Sequence, residues 1–178
     1  RGRNGAGPSV DEGSFGTYLA DVEQEAERAR ETYGMLVVPG LELTFNDTDP
    51  IQAAHAVAIG LRSFVPVDHG IERAISSASM AGAAVIAAHP YDSEPASSNG
   101  RLTRRFARDV ALRGLAHRFE LFNRTQLFGW VADAGLPAVA SGDFHDLEHL
   151  VDRVVSRDRA AWSGGKQCAC HQGSRYWD

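Results

Sequence analysis

The sequence predicts an α/β fold with a parallel sheet buried on both faces, on two observations. Short, almost wholly apolar strands alternate with helical patterns along the chain, which is how strands covered by helices on both sides look. Glycines punctuate the alternation: Gly34, Gly82, Gly114 and Gly135 each end a helical stretch and lead into a strand. In such folds ligands gather at the carboxyl ends of the strands, and these strands run out into Glu, His and Asp.

Residues 1–13 (RGRNGAGPSVDEG) are Gly-rich and polar and form a flexible lead-in. A helix is expected from Ser14, a candidate N-cap, to about Tyr33. Tyr18, Leu19, Val22, Ala26 and Ala29 recur there at helical spacing, and Gly34 stands in the C′ position. The strand MLVVPGLELT follows and carries Glu42. His55 to Leu61 (HAVAIGL) is a second strand. AAVIAAHPY carries His89, LAHRFELFN carries Glu120 and Asn123, and LPAVASGDFH carries Asp143 and His145. Residues 70–81, 101–113, 124–134 and 146–156 have helical patterns. Asp68, just before the first of these, stands in an N-cap region. Beyond Ala160 periodicity disappears, so the chain divides into a lead-in (1–13), a domain (14–159) and an irregular tail (160–178).

Composition narrows the function classes. The chain has 178 residues, and 43% of them are apolar against 23% charged, a globular balance. The formal net charge of −5 argues against a broad nucleic-acid-binding surface. No apolar run approaches the ~20 residues of a spanning helix, and residues 1–13 lack the apolar segment of a signal peptide. Two closely spaced cysteines, Cys168 and Cys170, make no disulfide framework. These features predict a cytoplasmic protein without membrane partners. Oligomeric state is not legible in them.

The chemistry-bearing residues cluster at strand ends. His89 follows the apolar VIAA and is succeeded by Pro90; Asp143-Phe144-His145 follows AVAS and Gly142. In extended chain, residues two apart point the same way, so Asp143 and His145 can converge. Imidazole nitrogen with carboxylate oxygen is a usual ligand set for zinc, manganese or iron. Glu42 lies between two leucines, where a carboxylate needs a compensating charge, and His55 opens the next strand. Arg101, Arg104, Arg105 and Arg108 would share one helix face, either solvated or turned to a substrate phosphate. Cys168-Ala169-Cys170-His171 lacks the spacing and second ligand pair of a zinc site.

VPGLELT, AHAVAIGL, AAHPY, RFELFN and SGDFH, in this order, resemble successive motifs of the PHP (polymerase and histidinol phosphatase) family over roughly residues 33–150. The resemblance implies a distorted (β/α)7 barrel, two or three divalent metal ions (Mn, Zn or Fe) and phosphoester hydrolysis. It makes Glu42, His55, His89, Asp143 and His145 metal ligands, Glu42 a bridging one. It assigns no direct metal role to Glu120 or Asn123. Asp143 and His145 are also the candidates for orienting the leaving group. The family's opening His-x-His is absent: residues 1–33 contain no histidine, and Asp68-His69 stands in the wrong place to replace it. The expectation is therefore a partial PHP-type barrel lacking its first strands, from a reading frame expected to be truncated at the front, with a frameshift near residue 151 as a further expectation. Its substrate would be a small phosphorylated metabolite or nucleotide, with an amidohydrolase-like reaction open to the same site. The alternative is a catalytically incomplete fragment or metal-binding interaction module.

Overall fold

In the computed structural model, residues 9–93, 102–124 and 126–143 are described. Among them, α1 (Phe15–Tyr33), β1 (Gly40–Phe45), β2 (Ala54–Ile59), α2 (Ile71–Met80), β3 (Ala84–Ala88), α3 (Arg105–Arg108), α4 (Val110–Arg113), β4 (Arg118–Asn123), β5 (Gln126–Leu127), α5 (Gly129–Asp133) and β6 (Ala138–Ser141) follow in order. These elements belong to one unit that ends at Ser141. Gly142 and Asp143 belong to a second unit, whose expected helix (146–156) and tail (160–178) lie outside the described residues.

Helix α1 ends as its sequence requires. Gly34 adopts a left-handed φ of 65°, and Gly34 N–H and Met35 N–H donate back to the carbonyls of Arg30 and Ala29. At the other end Ser14 holds the cap position without capping. Its hydroxyl and amide bond Asp11 instead, while Asp11 N–H donates to Ser14 Oγ, and Phe15 N–H reaches the Asp11 carbonyl. The expected cap at Asp68 is likewise replaced: Gly70 is the residue before α2, with no side-chain cap bond.

The sheet has six strands ordered β1-β2-β3-β4-β5, with β6 also pairing β4. It is mixed, not parallel, and it does not close into a barrel. β1 and β2 pair antiparallel, as do β2 and β3; β3, β4 and β6 pair parallel. The eight residues 46–53 between β1 and β2 are too few for the crossover that parallel neighbours need. Ile59, at the end of β2, pairs Ala84, at the start of β3. The loop 60–70 and α2 must therefore cancel each other's displacement along the sheet. That leaves β3 antiparallel to β2 despite the helix between them.

Register explains the faces. Leu43 pairs Ala56, which pairs Ala87, and Ala58 pairs Val85. All five are buried, and they form the core with Ile71, Ala74, Ile75 and Ala78 of α2. Residues two apart share a face and paired residues share it too. Glu42, Thr44, His55, Val57 and Ala88 therefore line the opposite face. Further along, Phe106, Phe119 and Trp130 pack edge to face at centroid distances of 6.0 and 6.3 Å.

Two expected helices are shorter than their patterns. The helix over 101–113 breaks into α3 and α4 at Asp109. Asp109 takes an extended conformation, and its side chain accepts from Leu112 N–H, so a local bond competes successfully with helix continuation. The helix over 124–134 shrinks to α5, because Gln126–Leu127 folds back on β4 as a hairpin strand.

Candidate metal centre

Three adjacent strands bring Glu42, His55 and His89 together, and one potential ligand atom from each lies within 4.8 Å of the others. Thr44 on β1 is opposite His55 on β2, so Glu42, two residues earlier, is the diagonal neighbour of His55 on the same face. His55 Nδ1 is 3.0 Å from Glu42 Oε1. The two imidazoles meet edge to face with centroids 4.9 Å apart.

His89 reaches this face by a backbone device. Ala88 pairs His55 and lies on the site face, so in regular strand His89 would point into the core. Instead it takes a φ of 31°, in the left-handed region that costs a non-glycine residue about 1–3 kcal/mol. The turn places His89 Nε2 3.4 Å from Glu42 Oε1. Long-range hydrogen bonds hold it there. Glu120 Oε2 accepts from His89 N–H at 2.6 Å, and Trp130 Nε1–H donates to the Pro90 carbonyl at 2.6 Å.

Electrostatics favour a cation at the cluster. In their protonated forms the imidazoles of His55 and then His89 hold the Glu42 carboxyl far below the usual carboxylate range, against the opposing effect of its partial burial. His55 Nε2 lies 3.2 Å from Asn46 Oδ1, an amide oxygen that can only accept. In neutral His55 the proton therefore sits on Nε2, and Nδ1 presents its lone pair. That Nδ1 is buried and makes no hydrogen bond. Its 3.0 Å approach to Glu42 Oε1 is an ion-pair separation that lacks hydrogen-bond geometry. A buried imidazole lone pair beside a carboxylate fits a divalent metal ion, and outward-nitrogen hydrogen bonding is how ligating histidines are oriented.

The other predicted residues fare differently. Asp143 lies two residues past the end of β6 in sequence, in the second unit, with a φ of 44°. His145 lies outside the described residues, as do Arg101 and the Cys168–His171 segment. The three described arginines of the expected helix face are engaged by protein groups. Arg105 ion-pairs with Glu72 and with Asp109, and Arg104 and Arg108 each donate to the Asp92 carbonyl at 3.0 Å.

Two residues support the site in ways the sequence did not indicate. Glu120 is 3% exposed and gathers His89 N–H, Asn123 Nδ2 and Ser141 Oγ. Its charge is met by donors, and among the described residues the metal-competent group does not include it. Thr103 is wholly buried and touches His89, yet nothing in LTRRF distinguishes it from a surface threonine.

No family model and no curated protein matches the chain. Among solved structures, a two-domain protein from Bacteroides vulgatus ATCC 8482 is similar at 22% identity and a TM-score of 0.46. It is described as containing a predicted PHP-like metal-dependent phosphoesterase. The match covers 77% of this chain and 38% of that one.

Proposed function

We propose that this chain binds divalent metal through Glu42, His55 and His89, and that it hydrolyses a small phosphorylated substrate. One observation carries the metal reading: the buried, unbonded His55 Nδ1 faces a carboxylate that a second imidazole also approaches. Such a set is satisfied by a cation. The phosphoesterase reading rests on the ordered resemblance of the five strand motifs to the PHP family. Asp143 and His145, matched in that resemblance, are proposed as further ligands that also orient the leaving group.

A divalent ion bound here would supply a water of lowered pKa and positive charge against the phosphoryl oxygens. The chain's own residues do the rest. Glu42 would offset the charge of such an ion and hold it from β1. Asn46 Oδ1 keeps the His55 Nε2 proton on the far side of the ring, which leaves Nδ1 facing Glu42, and the turn at His89 brings its Nε2 to the same carboxylate oxygen. Val57 and Ala88 lie on the same side of the sheet.

Elemental analysis of the chain after zinc or manganese loading and exhaustive dialysis tests the metal reading. At least one ion per chain should be retained, and Glu42→Gln and His55→Ala should each lose it. Retention in both variants would overturn the assignment. Phosphoesterase activity against small phosphomonoesters should accompany the metal and vanish in Asp143→Ala while the fold persists. Metal retention without hydrolysis would mark a metal-binding module instead.

A further inference from the structure

Thr103 is wholly buried and pairs with Pro90 in an isolated parallel bridge, which brings its side chain against His89 twice. Its hydroxyl donates to the His89 carbonyl at 2.6 Å, and the same Oγ1 lies 3.1 Å from His89 Nδ1. A hydroxyl has one proton and two lone pairs. With that proton committed to the carbonyl, Oγ1 can only accept from the ring, so Nδ1 must be the protonated nitrogen. Neutral His89 then carries its lone pair on Nε2, the atom 3.4 Å from Glu42 Oε1.

We infer that Thr103 is a positioning residue that sets the tautomer of His89 and thereby makes Nε2 a metal-ligating atom. The inference rests on the metal reading of the site for its purpose, but not for its geometry. One hydroxyl does two things: it fixes the left-handed turn through the carbonyl and selects the ring proton's place through Nδ1. Tyr91 N–H donates to the Thr103 carbonyl at 3.1 Å, so the threonine backbone is tied to the same turn and the hydroxyl cannot drift. The opposite tautomer would gain a donor toward Glu42 Oε1, but across 3.4 Å, a longer contact than the 3.1 Å one at Nδ1, and it would set two acceptors, Nδ1 and Oγ1, face to face or take the hydroxyl from the carbonyl.

The test is long-range proton–nitrogen correlation on the full, metal-free, nitrogen-15-labelled chain at alkaline pH, with zinc titration calorimetry alongside. The wild type should show His89 protonated on Nδ1. Thr103→Val, which keeps the shape and removes the hydroxyl, should move the ring toward the Nε2-protonated form. It should also weaken zinc binding about 10–100-fold, as loss of an outer-shell partner does. Thr103→Ser should restore both. A wild-type His89 protonated mainly on Nε2 would overturn the inference, as would a folded Thr103→Val with an unchanged tautomer. Should Thr103→Val fail to fold, the wild-type and Thr103→Ser spectra decide. A wild type that binds no zinc would defeat the metal reading alone, since the metal-free spectra still decide what Thr103 does.

Discussion

Replacing Glu120 distinguishes a structural carboxylate from a ligand. Its oxygens accept from His89 N–H at 2.6 Å, from Asn123 Nδ2 at 2.7 Å and from the Ser141 hydroxyl, at a site 3% exposed. Hydrogen bonds to a charged group contribute about 1.5–3 kcal/mol and neutral ones about 0.5–1.5. Glu120→Gln keeps an amide oxygen for His89 N–H and Asn123 and turns its NH2 toward Ser141, whose hydroxyl can rotate to accept. Losing the charge on three bonds should therefore cost about 3 kcal/mol in total. For a chain of this length that is roughly 6–12 °C in Tm. Glu120→Ala orphans the buried His89 and Asn123 donors at about 1–3 kcal/mol each and adds a cavity, so it should cost more than the glutamine. Urea denaturation of the metal-free chain measures both. Zinc affinity of Glu120→Gln should stay near the wild-type value, because the His89 turn is still held. An alanine variant within ~1 kcal/mol of wild type, or a glutamine variant that abolishes zinc binding at unchanged stability, would refute this account.

Three further outcomes follow from the geometry. Because the folded-state pKa of Glu42 is depressed, its contribution to stability is present above the ordinary carboxylate range and is lost as pH falls below about 4.5. The Tm of the metal-free wild type should therefore fall more steeply between pH 6 and 3 than that of Glu42→Gln, and parallel curves would contradict the shift. At Gly40 a Cβ would stand 2.6 Å from the Ala58 carbonyl oxygen, so Gly40→Ala should cost about 1–3 kcal/mol by forcing β1 off β2. It should also weaken zinc binding, since Glu42 is two residues away; unchanged stability would show that the strand pair yields without strain. Phe106, wholly buried against Phe119, should lose about 3–5 kcal/mol on change to alanine, readable by urea denaturation, where a loss under ~1 kcal/mol would mean the ring does not carry the core.

Much of the local structure was legible because its causes are local. Gly34 ends α1 in the left-handed conformation that its place after a helical pattern requires, and the apolar runs around Val57, Val85 and Val139 became β2, β3 and β6. Glu42 between two leucines and the histidines opening or closing the neighbouring strands stood among five expected ligands, and these three lie within reach of one another. Strand alternation alone put Leu41 and Leu43 on one face and Glu42 on the other. Where a local bond overruled the pattern, as at Asp109, the expected helix failed.

Tertiary structure decided what sequence periodicity cannot carry. An apolar strand is equally suited to parallel or antiparallel neighbours, and only the eight-residue link after β1 and the paired ends of β2 and β3 settled their direction. By alternation His89 belongs in the core. It reaches Glu42 because Glu120, Thr103 and Trp130, from distant parts of the chain, hold one residue and its proline in a turn the local sequence would not choose. Residue type and strand position were enough to name candidate metal ligands, since both are local properties. Which of them meet, and with which nitrogen, was decided by long-range hydrogen bonds, whose partners no local pattern names.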